Sequence, residues 1–362
     1  MTSPDGEPVP VLIVGAGPAG LAAAIDLAAH DLEPLVLERR PDFSSHPRAT
    51  ALTAETMQLM SRWGIEAQVR ASGFGARHAM SVRATLAGPE ITRIPMDAHV
   101  WTCAQDQLEA VLAARAAAAG ARLRHGSELA DLRPAGDAIL ATIAITGRGS
   151  DTIRARYVLG ADGAHSRVRQ AAGITRTKTR SFGDYISILF RAPLRDYTGE
   201  PPFMVYGIGN PATGGVLVPA GPDDRWIRGL PWHPGQGDHL TDYDTTRCTA
   251  LIRSAAGIPA LPVDVLDVRA FQMTAALADR YRAGRVILAG DAAHVFTPAS
   301  GMGLNLALHD GTVAAHCLTA AIQHGQDEIL TQYEAACRPL AEKLLEPELT
   351  PAAPVHRVVR QP

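Results

Sequence analysis

The chain has 362 residues, more than one ordinary hydrophobic core requires, so a two-part fold or two domains is expected. Hydrophobic residues make up 46% and charged residues 20% of the sequence, which excludes wholesale disorder and a membrane-embedded protein. The net charge of −3, spread over mixed acidic and basic residues, gives no field that would recruit nucleic acid. Because Met1 to Pro8 is polar and no apolar run reaches the roughly 18 residues that span a bilayer, we expect a cytoplasmic protein without a membrane span.

The cysteines are widely separated and form no CxxC pair, so we predict buried, reduced thiols and no metal site. They are Cys103, Cys248, Cys317 and Cys337.

A strand, a tight turn, a helix and a second strand open the chain. Val9 to Val14 is dominated by Val, Leu and Ile, and it passes through glycines into the Ala/Leu-rich stretch Leu21 to Ala29. A second apolar run, Pro34 to Leu37, ends in the charged Glu38. This pattern predicts a βαβ unit of about 30 residues, the size of a parallel crossover.

The later segments predict a change of architecture in the middle of the chain. Ala104 to Ala119 is helical in its periodicity, and Leu129 to Ile145 and Asp151 to Gly160 alternate like strands. The stretch from about Arg176 to Met273 carries many prolines and aromatics and almost no helical periodicity, which predicts an antiparallel sheet facing a ligand. From Arg285 onward an apolar strand returns, followed by glycine-rich turns and helices.

The first motif lies between the first strand and the first helix. Gly15 permits the tight turn, Gly17 lets the backbone approach a pyrophosphate, and Gly20 allows the helix to pack closely on the strand. The anion then lies at the positive end of the helix dipole. Glu38, after the second strand, can accept hydrogen bonds from a ribose hydroxyl pair and would repel the 2′-phosphate of NADP. The residues assigned to this dinucleotide site are Gly15, Gly17, Pro18, Ala19, Gly20, Glu38 and Arg39.

Two later motifs add a family resemblance. They are Gly160-Ala161-Asp162-Gly163-Ala164-His165-Ser166-Arg167-Val168-Arg169 and Gly290-Asp291-Ala292-Ala293-His294. In order and spacing the three motifs resemble those of the group A flavoprotein monooxygenases, the family of para-hydroxybenzoate hydroxylase. The resemblance implies that Asp162 serves both FAD and the nicotinamide donor, partly by holding local structure, and that Asp291 bonds the ribityl chain of FAD. His294 is expected to have a structural or flavin-adjacent role.

The loop after the third motif also resembles the family. It reads Thr297-Pro298-Ala299-Ser300-Gly301-Met302-Gly303-Leu304-Asn305, with a serine at position 300 where many relatives carry glycine. The family wraps the flavin edge with such a loop, whose backbone donors stabilise negative charge on the reduced ring. Two weaker matches to the family, Arg48 and Gln105, imply further contacts with the cofactor. The residues that the resemblance assigns to FAD are Arg48, Gln105, Asp162, Asp291, Pro298, Gly301, Gly303, Leu304 and Asn305.

The resemblance implies an α/β fold with a Rossmann-like FAD-binding domain, which contains a parallel sheet, and an antiparallel β-sheet substrate domain. We expect the first part of the FAD-binding domain in residues 1–175, the substrate domain in 176–274 and the second part of the FAD-binding domain in 275–346. Residues 347–362 are expected to form a flexible tail.

The implied reaction uses NADPH or NADH as a transient co-substrate to reduce FAD, and O₂ then yields a flavin hydroperoxide that delivers one oxygen atom. The expected partner is an aromatic or polyketide-type small molecule, and the protein is expected to be a monomer or homodimer. We expect the substrate between the Pro298 loop and the inner face of the insert's sheet. No acid–base pair stands out as catalytic. The residues expected to line the substrate are Tyr185, Phe203, Tyr206, Leu217, Pro219, Trp226, Arg228 and Trp232.

Three alternatives stay open at this point. An epoxidase or a Baeyer–Villiger-type oxygenase can share all the flavin motifs, because only the electronic character of the substrate differs. A flavin-dependent reductase shares the first motif, but the complete Asp162 motif favours an oxygenase. A flavin-binding protein without turnover is disfavoured by the intact Pro298 loop.

Overall fold

The computed structural model describes residues 8–96, 100–210 and 214–350. Residue contacts divide these into two compact units. The first unit holds residues 8–44, 108–180 and 275–350, and the second holds 45–96, 100–107, 181–210 and 214–274. Residues 45–96 and 100–107, which the sequence assigned to the FAD-binding part, therefore group with the insert. In the expected tail, the last helix runs to Leu349, and residues 351–362 lie outside the described part.

The strands are β1 (Val9–Val14), β2 (Leu35–Leu37), β3 (Ala51–Leu52), β4 (Arg77–Arg83), β5 (Glu90–Pro95), β6 (Trp101–Thr102), β7 (Arg122–Arg124), β8 (Ser127–Ala135), β9 (Ala138–Ile145), β10 (Gly149–Gly160), β11 (Lys178–Arg191), β12 (Phe203–Ile208), β13 (Gly215–Pro219), β14 (Arg225–Trp232), β15 (Asp264–Leu277), β16 (Arg282–Ala283), β17 (Val286–Leu288) and β18 (His294–Val295). The helices are α1 (Pro18–Ala28), α2 (Ala54–Arg62), α3 (Glu66–Ala71), α4 (Gln105–Ala119), α5 (Arg167–Ala171), α6 (Arg195–Thr198), α7 (Thr245–Ala256), α8 (Gly303–His324) and α9 (Leu330–Leu349).

The first unit is built on a sheet whose strand order is β16-β17-β10-β1-β2-β7. Neighbouring strands from β17 to β7 run parallel. Strand β9 pairs antiparallel with both β10 and β8, which adds two strands to the same sheet. In β1, Val11, Leu12 and Ile13 are fully buried, as expected for a central parallel strand covered on both faces. The predicted βαβ unit and parallel sheet are confirmed.

Close packing in the first unit depends on glycines at two helix contacts. A Cβ at Gly311 in α8 would lie 2.1 Å from the carbonyl oxygen of Ala19 in α1. A Cβ at Gly290, which has φ +59°, would lie 3.1 Å from the Ala19 Cβ. These contacts bring α1, α8 and the third motif together beside the first glycine turn.

The second unit contains an extended sheet with strand order β15-β11-β14-β13-β12-β4-β5. The pairs β11–β14, β14–β13 and β13–β12 are antiparallel, which confirms the predicted antiparallel insert. The insert also contains helix α7, which the sequence analysis did not predict. Asp244 caps its start by accepting a hydrogen bond from the Arg247 N–H (2.7 Å), and Gly257, with φ +73°, ends it.

The cysteine and membrane predictions have separate outcomes. All four cysteines are buried and free, as predicted. Within residues 8–96, 100–210 and 214–350, every helix is too short or too polar to cross a membrane.

Candidate cofactor and substrate sites

The glycine turn after β1 has the geometry that its sequence predicts. Gly15 has φ +107°, and a Cβ there would lie only 2.2 Å from the carbonyl oxygen of Ala161. A Cβ at Gly20 would lie 2.0 Å from the carbonyl oxygen of Gly15. Neither position accepts a side chain without moving backbone, so both glycines are required by the protein itself.

Gly17 has a different role from Gly15 and Gly20. It is the N-cap of α1, with φ −81°, and no side chain caps the helix there. A Cβ at Gly17 would meet no protein atom within 4 Å. The protein therefore leaves open space in front of uncapped helix N–H groups, which is the arrangement that an incoming phosphate needs.

Glu38 follows β2 and closes the other side of the turn. Its carboxylate accepts hydrogen bonds from the backbone N–H groups of Ala16 (3.1 Å) and Arg40 (3.0 Å). These contacts hold the carboxylate beside the glycine turn, where the sequence analysis expects a ribose. The neighbouring Arg39 is exposed.

The two motif aspartates differ in what they bind. Asp162 accepts hydrogen bonds from the Ser166 hydroxyl and from the N–H groups of Arg167 (2.7 Å) and Val168 (3.1 Å). Its carboxylate is thus occupied in fixing the start of α5. The carboxylate of Asp291 makes no hydrogen bond with any residue that the structure describes, so it remains able to bind a ligand hydroxyl.

Two arginines join the second motif to the third. Arg176 donates to the carbonyl oxygens of Ala164 (2.8 Å) and Asp291 (2.6 Å), and Arg169 donates to Ala164 (3.2 Å) and Ala292 (3.4 Å). Burial, together with the nearby guanidinium of Arg169, lowers the pKa of Arg176 to about 10. Arg176 was missed by the sequence analysis because it lies outside all three motifs.

The loop between β18 and α8 is fixed by its own polar groups. The Ser300 hydroxyl donates to the Thr297 carbonyl (3.0 Å) and accepts from the Met302 N–H (3.3 Å). Gly301 has φ +65°, and the Asn305 side chain donates to its carbonyl (3.2 Å). Serine at position 300 therefore supplies hydrogen bonds within the turn that a glycine could not make.

The start of this loop is anchored by Glu348 near the end of α9. The carboxylate of Glu348, only 5% exposed, accepts from the Thr297 N–H (3.0 Å) and from the Thr297 hydroxyl (3.0 Å). No sequence signal identified Glu348, which lies within the segment expected to be a tail.

His294 is buried at the base of the same region. Its Nε2 lies 2.6 Å from Oδ2 of Asp310, and both side chains have no exposed surface. The same Asp310 oxygen accepts from the Gly290 N–H (2.9 Å). His294 thus joins α8 to the third motif, as expected for a structural role, and it is closed to solvent.

The two weaker cofactor matches lie in the second unit. Arg48 is exposed, whereas Gln105 is 7% exposed at the start of α4. The Gln105 N–H donates to the carbonyl of Ala49 (2.9 Å), so the segment after Arg48 and the start of α4 are neighbours.

Most residues expected to line the substrate form the core of the second unit instead. Tyr206, Leu217, Trp226 and Arg228 have no exposed surface, and Phe203 is 2% exposed. Pro219 is buried opposite Trp226 in the strand register. This face of the sheet packs against α7 and has Trp232 at its edge. The structure therefore places these side chains in the core rather than on a ligand-facing surface.

Tyr185 alone among the expected residues belongs to the opposite face of the sheet. We call this the open face. Its residues alternate along the strands with those of the buried face and are Tyr185, Ser187, Leu189, Val205, Val216, Val218, Ile227 and Gly229. Most of them are partly exposed. Phe271 of β15 stacks on Tyr185 with ring centroids 5.7 Å apart. The open face is mainly apolar and carries a stacked aromatic pair at one edge.

Two polar side chains that precede the insert in the chain, His46 and Asp106, form hydrogen bonds with residues of the open face's strand phase. His46 is 4% exposed, and its Nε2 lies 2.8 Å from the Ser187 hydroxyl while its Nδ1 lies 3.0 Å from Oδ2 of Asp267. Arg225, on the same strand phase, donates to Asp106 (2.8 Å). The Ser187–His46–Asp267 group was not identified in the sequence, because its members are far apart along the chain.

The first unit has the features of a dinucleotide-binding flavoprotein domain, with an open helix N-terminus, a fixed acidic residue and an available ligand carboxylate. A family model described as "FAD binding domain" matches residues 8–347. Similar curated proteins include the tetracenomycin A2 monooxygenase-dioxygenase of Streptomyces glaucescens, 34% identical over 92% of this chain and 66% of that protein. The aklavinone 12-hydroxylase of Streptomyces peucetius is 32% identical over 96% of this chain and 74% of that protein.

Solved structures give the same result. The flavin-dependent monooxygenase PieE, in complex with FAD and substrate, matches 95% of this chain and 63% of its own, with a TM-score of 0.86 and 29% identity. Aklavinone-11 hydroxylase, in a ternary complex with FAD and aklavinone, matches 96% of this chain and 68% of its own, with a TM-score of 0.86 and 30% identity. The chain therefore belongs to the FAD-dependent aromatic monooxygenase family, its cofactor is FAD, and it spans roughly two thirds of the length of these relatives.

Proposed function

We propose that the protein is an FAD-dependent monooxygenase that uses NAD(P)H and O₂ to hydroxylate an aromatic, polyketide-type small molecule. The observation that carries this proposal is the cofactor site of the first unit in a chain of this family. Gly17 leaves open space at the start of α1, and Asp291 offers a carboxylate that no described residue binds.

Each part of that site has a defined task in holding FAD. The N-terminus of α1 binds the pyrophosphate, Glu38 binds the adenosine ribose, and Asp291 binds the ribityl chain. The N–H groups at the start of α8 favour negative charge on the flavin edge. When bound, FAD supplies the redox chemistry, taking electrons from NAD(P)H and activating O₂, while the protein supplies position and electrostatics.

The second unit supplies the substrate surface in this proposal. Its open face is apolar at Val216, Val218 and Ile227, which are partly exposed and suit a flat hydrophobic molecule. The Tyr185–Phe271 pair at its edge provides aromatic surface for stacking. The tetracenomycin and aklavinone enzymes are named for polyketide compounds, which supports the same class of substrate for this protein.

The test is turnover with isotope-labelled O₂. The purified protein, loaded with FAD, is mixed with NADPH or NADH and a panel of hydroxylated naphthalenes and anthraquinones. We expect one aromatic compound to stimulate NAD(P)H oxidation and to gain one labelled oxygen atom, with no such product when the flavin is omitted. NAD(P)H oxidation that yields a reduced product without label would indicate a reductase, and the position of the oxygen would separate hydroxylation from epoxidation or ring expansion.

A further inference from the structure

Ser187, His46 and Asp267 form a hydrogen-bonded chain around the buried ring of His46, and the chain ends on the open face. Asp267 is 28% exposed and is also held by Arg269, whose Nε lies 2.7 Å from the same carboxylate oxygen. His46 lies between Asp267 and Ser187, at 3.0 Å and 2.8 Å. Ser187 is partly exposed in β11, and its hydroxyl forms the end of this chain on the open face.

The chemistry of the three groups fixes the direction of these hydrogen bonds. The Asp267 carboxylate can only accept, so Nδ1 of His46 must carry the proton. The pKa of His46 is lowered, mainly by burial of the ring. The hydrogen bond to Asp267 opposes this effect, and the charges of Arg269 and Arg225 add to it. A neutral His46 with a proton on Nδ1 has a lone pair on Nε2, and Ser187 must donate its only hydrogen to that atom.

A serine hydroxyl that has donated its hydrogen can only accept further hydrogen bonds. We propose that Ser187, held in this state by His46 and Asp267, binds a free hydroxyl group of the aromatic substrate as a hydrogen-bond acceptor. Ser187 is thereby a specificity-determining residue, because a methyl ether at the same ring position has no hydrogen to donate. The inference rests on the proposed function for the identity of the substrate, but not for the state of Ser187.

The first test measures the proton position on His46 without any ligand. The full-length protein, labelled at the histidine ring nitrogens with the heavy isotope of nitrogen, is studied by NMR near neutral pH, and resonances missing from a His46→Gln variant identify His46. We expect a neutral ring protonated at Nδ1. A neutral ring protonated at Nε2, or a charged ring, would overturn the proposal because Ser187 would then be free to donate.

The second test compares the binding of 2-naphthol, whose hydroxyl has no intramolecular acceptor, with that of 2-methoxynaphthalene. Binding is measured by equilibrium titration of the FAD-loaded protein, followed by the change in flavin absorption. We expect the hydroxy compound to bind about tenfold or more tightly than the ether, and Ser187→Ala to bring the two affinities close together. Ser181→Ala, the same substitution at an exposed position of the same strand, is the matched control and should keep the difference.

Equal affinity of the two compounds for the unaltered protein, absence of binding by both, or an unchanged ratio in Ser187→Ala would each contradict the proposal. These readouts require no turnover. Failure of the monooxygenase reaction would therefore be distinguishable from failure of the inference about Ser187.

Discussion

Replacing Gly17 with alanine should separate cofactor binding from folding. Gly17 has φ −81°, a conformation that alanine adopts readily, and its new methyl group would meet no protein atom within 4 Å. We expect the cofactor-free protein to keep its stability to within about 1 kcal/mol, because alanine restricts the unfolded chain but is a poorer helix N-cap than glycine. The methyl group would, however, occupy the space where the pyrophosphate approaches the backbone.

Gly17→Ala should therefore weaken the binding of FAD. We expect the dissociation constant to rise by at least about tenfold, which corresponds to about 1.4 kcal/mol. Gly15→Ala gives the contrasting case, since φ is +107° and the new Cβ would lie 2.2 Å from the Ala161 carbonyl oxygen. That variant should lose more than about 1 kcal/mol of stability even without FAD.

The assay combines urea unfolding of the cofactor-free protein with FAD titration followed by flavin fluorescence. Gly235→Ala is the matched control, since its Cβ also meets nothing within 4 Å but it lies in the second unit. It should leave FAD affinity unchanged, and it should keep the stability of the protein or raise it by about 0.4–1 kcal/mol. Gly17→Ala with unchanged FAD affinity would refute the reasoning, as would a large loss of stability without cofactor.

Three further predictions follow from the same structure. Asp291→Ala should weaken FAD binding by about tenfold to a hundredfold, because charged hydrogen bonds to the ribityl chain are lost, and an unchanged titration would contradict the role given to Asp291. Glu348→Ala should lower the free energy of unfolding in urea by about 2–4 kcal/mol by leaving the buried Thr297 groups unpaired, whereas the exposed Glu346→Ala should change it little. Burial lowers the pKa of His46 below its ordinary value, so below about pH 6.5 the unfolded chain binds more protons there and stability should fall with falling pH. His46→Gln should reduce that slope, and an equal slope in both proteins would count against the buried neutral ring.

The cofactor motifs could be predicted from sequence because their chemistry depends on backbone geometry. A left-handed turn at Gly15 and an open helix start at Gly17 require residues without side chains, and such requirements are visible in a short stretch of sequence. The flanking apolar strands give the same local signal. The βαβ unit and the parallel sheet follow from these features, and the FAD family follows from the resemblance that the later motifs add. All three are confirmed.

The face of the insert's sheet that stays open could not be predicted from the same sequence. Strand alternation indicates that Trp226 and Arg228 share one face, but it does not say which face a helix covers. Because α7 covers that face, the large aromatic residues are core and smaller residues such as Ser187 remain on the open side. The helix itself was missed, since its short amphipathic pattern lies among prolines and aromatics.

Long-range polar contacts were also invisible in the sequence. Arg176 reaches carbonyl groups more than a hundred residues away, and Glu348 binds Thr297 across a separation of 51 residues. Each residue taken alone is an ordinary charged residue in a region without a motif. Only the folded chain brings such partners together, so no spacing rule could have identified them.

If the first unit holds FAD for reaction with NAD(P)H and O₂, the flavin must bind to the protein and accept electrons there, and one titration measures both properties. Gently purified protein is depleted of flavin, titrated with FAD, and then mixed anaerobically with NADPH or NADH while the flavin absorbance is recorded. We expect binding of one FAD per chain and bleaching of the flavin by one of the two donors. Absence of saturable FAD binding, or a bound flavin that neither donor reduces even with aromatic compounds present, would contradict it.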